Sequence, residues 1–256
     1  MARYFVQLSY SGEKFNGWQI QENTPNTVQQ VLETHFFNLL REKISITGCG
    51  RTDTGVHAKT YFAHFDISNR EFITKPEKWL YKLNKVLPHE IAIHKFIPVQ
   101  NEAHARYHAE SRTYEYKIHK SKNPFLKDWS FYFPYTLDLE KMNEACEILL
   151  TYTDFSCFSK SNTQVKTNLC KLFFANWEET QDEITFKISA DRFLRNMVRA
   201  IVGTLLELGE NKISIEQFLH IIESKDRKKA GVSVPAQGLY LIDVTYPKSL
   251  FLNEER

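Results

Sequence analysis

The chain has 256 residues, enough for one large domain or two compact ones. Hydrophobic residues make 42% and charged residues 25%, so a core can form and global disorder is excluded. The formal net charge of +2 announces no polyanionic partner by itself, so any basic footprint must come from local clustering.

Four cysteines, Cys49, Cys146, Cys157 and Cys170, include no Cys-x-x-Cys pair, the spacing of zinc and redox sites. They read as reduced, mostly buried thiols in the cytosol. The N-terminus runs straight into a strand pattern, so no signal peptide is expected. No apolar run is long enough to span a bilayer, so no membrane is expected either.

Tyr4, Val6, Leu8 and Tyr10 alternate and predict a strand. Residues 11–21 follow as a loop with Gly12, Gly17 and Trp18. Trp18 reads as a core plug or as part of an RNA-facing surface. Thr27 and Gln30 have capping-box spacing. Val28, Val31, Leu32, Phe36, Leu39 and Leu40 then give a helix one apolar face. Ile44 and Ile46 alternate before a glycine-rich run, and Tyr61, Ala63 and Phe65 alternate after it. That predicts two strands joined by a loop. Thr74 is expected to cap a helix carrying Trp79, Leu80, Leu83, Val86 and Leu87, ended by Pro88. Residues 91–97 are a strand. The order strand, helix, two strands, helix, strand is that of a split βαβ or ferredoxin-like unit.

Residues 102–108 form a polar connector, and the domain boundary is set after His108, giving domains 1–108 and 109–256. Residues 112–118 alternate as a strand. Asp138 is expected to cap a helix carrying Leu139, Met142, Ala145, Cys146, Leu149 and Leu150. Residues 161–168 read as a mobile polar loop, and 169–177 with 184–190 as a hairpin. A helix is expected over 191–203, with Leu194, Val198, Ile201, Val202 and Leu205 on its buried stripe. Ile215, Phe218, Leu219 and Ile222 mark another. The densest basic cluster is Lys225-Asp226-Arg227-Lys228-Lys229-Ala230-Gly231. It suits phosphate contact through Lys228 and Lys229, or else is a solvated turn. A last strand runs to residue 246, and residues 248–256 read as a loose tail. The second half repeats the order of elements without repeating the letters. The fold class is α+β: two ferredoxin-like units with mainly antiparallel sheets, side by side around a central active-site cleft.

The chemistry concentrates in Gly48-Cys49-Gly50-Arg51-Thr52-Asp53-Thr54-Gly55-Val56-His57-Ala58. Glycines free the backbone and allow close approach, and a scaffold-held loop with Arg and Asp is a usual seat of function. Taken alone, Asp53-Thr54-Gly55 is an ordinary turn with Arg51 as a surface partner. An aspartic protease needs two such acids sharing a proton, and the chain has one such motif, so only a homodimer could complete that site. The adjacent guanidinium of Arg51 also favours a charged carboxylate, which suits a nucleophile or base.

The run from Gly50 to Ala58 closely resembles the catalytic motif of the TruA-type tRNA pseudouridine synthases, with Thr54 where the family has Ala. Four further stretches resemble the family in order: Gly17-Trp18-Gln19, Arg112-Thr113-Tyr114-Glu115-Tyr116, Phe193 to Gly203, and Pro235 to Leu241. The resemblance implies the pseudouridine synthase fold. It implies isomerisation of uridines 38, 39 and 40 in the anticodon stem-loop of tRNA. Asp53 would be the catalytic aspartate, Arg51 its nearby cation, Tyr114 the ring against the target base, and Arg199 the arginine that meets the aspartate from the other half. Arg192 and Arg195 read equally as RNA contacts or as a solvated basic helix end. An isomerisation needs no redox partner, so no metal and no small-molecule cofactor are expected. The family is homodimeric, with tRNA spanning both subunits. The rival reading is a non-catalytic RNA-binding protein of two ferredoxin-like modules. Convergence of Asp53, Arg199 and Tyr114 separates the two.

Overall fold

Strand β1 (Ala2–Tyr10) is central to the N-terminal sheet of the computed structural model, which describes residues 1–160 and 167–252. Tyr4, Val6, Leu8 and Tyr10 are buried as their alternation predicts, but Phe5 is buried too. Helix α1 (Val28–Leu40) starts where Thr27 accepts the Gln30 backbone N–H at 3.3 Å. The Gln30 side chain accepts from the Asn26 N–H at 3.0 Å, one residue before the expected reciprocal partner. Strand β2 (Thr47–Gly48) is shorter than expected. Ile44 and Ile46 are buried off the sheet. The Ile46 N–H donates to Glu33 at 2.9 Å and its carbonyl accepts from Gln29 at 3.0 Å. Side chains of α1 thus occupy the groups that a neighbouring strand would need.

Strand β3 (His57–Ile67) leads to a short helix α2 (Arg70–Thr74), then α3 (Pro76–Val86) and β4 (Ile91–Val99). The expected cap at Thr74 is overturned. Its hydroxyl donates back to the Arg70 carbonyl at 2.9 Å and closes α2, while α3 starts on Pro76 with no side-chain cap. Proline suits that position because its missing N–H would have no partner there. Strands β3 and β4 both pair antiparallel with β1, and β2 with β3. The order β4-β1-β3-β2 is that of a ferredoxin-like unit.

The second set is β5 (Ser111–His119), β6 (Phe131–Tyr132), α4 (Leu139–Leu150), β7 (Leu172–Glu179), β8 (Glu183–Ala190), α5 (Met197–Gly209) and α6 (Ile215–Ser224), and β9 (Leu239–Thr245) closes the chain order. Asp138 caps α4 by accepting the Lys141 N–H at 3.0 Å. The antiparallel order β5-β8-β7, with a helix between its first two strands in sequence, repeats β1-β3-β2. Helix α5 begins at Met197 rather than 191. Asn196 adopts the left-handed conformation (φ 66°), which a continuing helix does not allow.

The chain divides into two compact units, the first holding residues 1–110 with everything from Leu241 on, the second Ser111–Tyr240. The sequence reading grouped the last strand with the second half. Within the first unit, β9 lies beside β3, and Tyr246 and Phe251 set their rings 5.0 and 6.2 Å from that of Phe5. This is why Phe5 is buried on the face of β1 opposite Tyr4, Val6, Leu8 and Tyr10, among the polar Arg3, Gln7 and Ser9. The Gln100 N–H donates to the Leu250 carbonyl at 2.9 Å and the Leu252 N–H to that of Pro98 at 3.1 Å. Up to residue 252, the expected loose tail is therefore tied down. Most of the expected mobile loop, residues 161–166, lies outside the described residues.

Both units have aromatic-rich cores. The first packs Phe36, Phe65, Phe72 and Phe96, and the second sets the Trp177 ring tilted against Phe186 at 4.8 Å. All four cysteines are buried thiols, and burial pushes those of Cys146, Cys157 and Cys170 up to about 12. Among the described residues no helix is long and apolar enough to cross a membrane.

Candidate active site

The Asp53 loop is held from below by the loop that follows β1. Residue Thr52 is buried, and its Oγ1 lies 2.8 Å from the Tyr10 hydroxyl. Its carbonyl accepts the Trp18 N–H at 3.2 Å. The Gly12 N–H donates to Nδ1 of buried His57 at 3.1 Å. Trp18 is buried and stacks on Tyr61 at 4.0 Å, and the Tyr61 hydroxyl donates to the Gly50 carbonyl. Of the two sequence readings for Trp18, the core plug is the one observed. The same loop also engages α1: the Gly17 and Trp18 carbonyls accept N–H groups of Val28 and Gln29 at 3.2 and 3.1 Å. These are donors that a helix start leaves without an internal partner.

Asp53 itself is half-buried at the tip, between exposed Arg51 and exposed Thr54. Its carbonyl accepts the Val56 N–H at 3.2 Å, closing a turn, and Gly55 supplies the positive φ (82°) inside it. The arrangement presents a carboxylate on a rigid, backbone-braced turn with a guanidinium two residues away. Such a group can act as a nucleophile or base without first being ordered.

In the second unit, Tyr114 is half-buried on β5, opposite Ile188 of β8. Its ring meets that of Phe193 edge-to-face at 5.2 Å and 89°. Arg112 donates to the Asp191 carbonyl at 2.7 Å. Asp191 in turn accepts the N–H groups of Lys171 and Arg192 at 2.8 and 2.7 Å. These bonds fix the turn that carries Arg192 and Phe193. On α5, the half-buried Arg199 donates from Nε to the Val234 carbonyl at 2.7 Å, and its own carbonyl accepts the Val234 N–H at 3.2 Å. Its charge also reaches Tyr116, whose phenol burial holds protonated against the opposing pull of Arg199.

Arg192 and Arg195 both precede α5. Arg195 is exposed and Arg192 half-buried. Lys228 and Lys229 are exposed, but their neighbours are engaged. Lys225 pairs with Asp154 at 2.8 Å, and Arg227 donates to the Ala230 and Gly231 carbonyls and to Ser233. The structure therefore keeps Asp53 and Arg51 together on one loop of the first unit. It gathers Tyr114, Arg112, Arg192 and Phe193 around one turn of the second, with Arg199 on the following helix. Sequence reasoning missed Phe193 as the ring beside Tyr114 and Val234 as the acceptor for Arg199. Phe193 lay in a stretch read for another purpose, while Val234 falls between the basic cluster and the Pro235–Leu241 stretch and carried no signal.

A mixed α+β chain with mostly antiparallel strands is consistent with the fold of the pseudouridine synthases. A family model described as tRNA pseudouridine synthase matches residues 8–108 and 145–247. The chain belongs to that family, which is one of isomerases. Among its relatives, tRNA pseudouridine synthase A of Parabacteroides distasonis is 50% identical over 259 residues, covering all of both chains. The protein of the same name in Porphyromonas gingivalis is 47% identical, over 98% of this chain and 100% of its own. That of Thermoanaerobacter pseudethanolicus is 37% identical, over 96% and 100%. The readings as a non-catalytic RNA-binding protein and as a dimeric aspartic protease are not favoured by these matches.

Proposed function

We propose that this chain converts uridine to pseudouridine at positions 38, 39 and 40 of the anticodon stem-loop of tRNA, with Asp53 as the catalytic nucleophile. The observation that carries the reading is the Asp53 turn. A family match over most of the chain coincides with a carboxylate braced through Thr52 by Tyr10 and Trp18. In the reaction the N1–C1′ bond breaks, the uracil turns while bound, C5 bonds to C1′ and loses its proton, and N1 takes up a proton in exchange, so the product is an isomer. A charged carboxylate serves each route to this outcome, whether it adds to C1′ or to C6 or assists a glycal. Arg51 and Arg199 keep negative charge favourable beside the reacting sugar. Tyr114 holds the extruded base, since a base must leave its stack to be reached. Arg192, Arg195, Lys228 and Lys229 contact the tRNA backbone.

The enzyme works in the cytoplasm as a homodimer with tRNA spanning both subunits. Support for this comes from the resemblance to TruA-type enzymes. The chain is incubated with unmodified tRNA and pseudouridine is mapped, beside Asp53→Asn. The wild type is expected to modify positions 38–40. The mutant should bind tRNA as well as the wild type and make no pseudouridine. Turnover by Asp53→Asn near the wild-type rate would remove Asp53 from the mechanism, and an unmodified tRNA with the wild type would remove the function.

A further inference from the structure

The connector of residues 102–108 is polar in sequence but built like a core segment. Ala103 and Ala105 are fully buried. Their carbonyls accept from Arg3 at 3.0 Å and from the Tyr246 hydroxyl at 2.7 Å. The Ala105 N–H donates to Nδ1 of buried His64 at 3.2 Å. The loop then winds around one imidazole. His104 Nδ1 accepts the N–H groups of Arg106 and Tyr107 at 3.1 and 3.3 Å. The His104 N–H donates to His108 Nδ1 at 3.0 Å, and the His108 N–H returns to the His104 carbonyl at 3.1 Å.

The result is a pile of three rings leading from core to surface. His64 lies 4.5 Å from His104, and His104 4.3 Å from Tyr107 at 36°. The outermost ring, Tyr107, is 74% exposed, and the Arg106 guanidinium sits 5.7 Å from its centroid. The charged groups around the pile are Arg3 with its partner Asp66, Arg106 and His108. Burial pulls His64 down to about 4 and lowers His104, so both rings stay neutral acceptors near neutral pH.

A single exposed tyrosine needs no explanation. This one differs because its backbone and its inner ring face are both fixed before anything binds, which lowers the cost of binding. We propose that Tyr107 is a stacking platform for a base of the tRNA other than the target uridine, with Arg106 beside it. This rests on the reading of the chain as a tRNA-modifying enzyme. A base is the occupant that fits. Its chain neighbours Arg106 and His108 are exposed and polar, so the loop offers one flat π-face rather than the wide apolar patch of a protein interface. Base–aromatic stacking works on one ring, and an adjacent guanidinium strengthens it.

The test titrates unmodified tRNA transcript against wild type, Tyr107→Ala, Tyr107→Leu and Tyr107→Phe, with thermal melting and molar mass measured on each. Tyr107→Ala and Tyr107→Leu are expected to lose roughly five- to hundredfold in tRNA affinity, and Tyr107→Phe to bind within about twofold of wild type. Leucine keeps apolar bulk without a π-face, so wild-type affinity in Tyr107→Leu would overturn stacking, as would wild-type affinity in Tyr107→Ala. A change of molar mass in Tyr107→Ala would instead assign the ring to contact with a second copy and overturn the proposal. Wild-type protein that forms no pseudouridine in the same tRNA defeats the functional reading. An active wild type with indifferent Tyr107 mutants defeats the platform alone.

Discussion

Gly17 lies so close to the Thr52 carbonyl that a Cβ on it would stand 2.5 Å from that oxygen. Its φ of +80° is a conformation that L side chains rarely adopt. The glycine of the first loop is thus the surface on which the Asp53 turn rests, and the Trp18 N–H beside it completes the seat. Gly17→Ala must either push the Thr52–Asp53 backbone outward or distort the start of α1. A shift of about 1 Å in a reacting group can cost on the order of a hundredfold. We expect pseudouridine formation to fall roughly ten- to hundredfold, with a stability loss of about 1 kcal/mol or more. Single-turnover rates and melting curves check this. A mutant that melts like wild type and turns over normally would show that the seat is not needed.

The sequence made much of this legible, because the relevant signals are local. Alternation in β1 and β3, the caps at Thr27 and Asp138, and the glycine-framed Asp53 each depend on a few neighbouring residues. What stayed hidden depends on partners far along the chain. Phe5 is buried because Tyr246 and Phe251 come back to it. Ile44 and Ile46 mimic a strand, yet Glu33 and Gln29 claim the backbone of Ile46. The helix expected from residue 191 fails at Asn196, where one left-handed residue outweighs a favourable apolar stripe. The polar letters of 102–108 conceal two buried alanines and a histidine that serves as an internal hydrogen-bond acceptor.

The basic cluster after α6 gives a salt-dependence prediction. Lys225, although exposed, is paired with Asp154 and Arg227 is engaged with backbone carbonyls, so the test falls on exposed Lys228 and Lys229, the latter with its Nζ 3.3 Å from His220 Nε2. If both meet phosphates, changing both to Gln should lower tRNA affinity and flatten the plot of log affinity against log salt by about 1.5 to 2. Binding isotherms at several salt concentrations read this directly. An unchanged slope would reduce the cluster to a solvated turn.

His64 gives a pH prediction. Burial, then repulsion from His104 were it protonated and from the Arg3 guanidinium, pulls its pKa in the folded protein from the ordinary 6.5 down to about 4. Between those values the unfolded chain binds a proton there and the folded chain does not. Stability from this site is therefore complete above about pH 6.5 and is lost as pH falls towards about 4. Solvent that reaches the site trims the full shift, leaving a loss on the order of 2 kcal/mol. Glutamine at position 64 can still accept the Ala105 N–H but does not titrate. Denaturant midpoints from pH 7.5 to 4 should fall less steeply in His64→Gln than in wild type. Parallel curves would mean that other groups set the acid response.

Tyr114 has two possible tasks, and its surroundings allow them to be separated. Its ring is fixed on β5 and packed edge-to-face against Phe193, so the ring position does not depend on the hydroxyl alone. Tyr114→Phe keeps the face and the packing while removing the O–H. If the ring is only a platform, the mutant should turn over nearly as well, since stacking uses the aromatic face. If the hydroxyl moves a proton during bond rearrangement, the loss should be roughly a hundredfold or more, as for other general acid–base groups. We expect the large loss, because a phenylalanine would serve a plain platform equally well. The measurement is the single-turnover rate at saturating enzyme, where weaker binding cannot imitate slower chemistry. Phe193→Ala is the companion variant. It loosens the ring but keeps the hydroxyl, so a positional role predicts a loss there that Tyr114→Phe does not share. A near-normal rate for Tyr114→Phe would end the proton-transfer role and leave the stacking role standing.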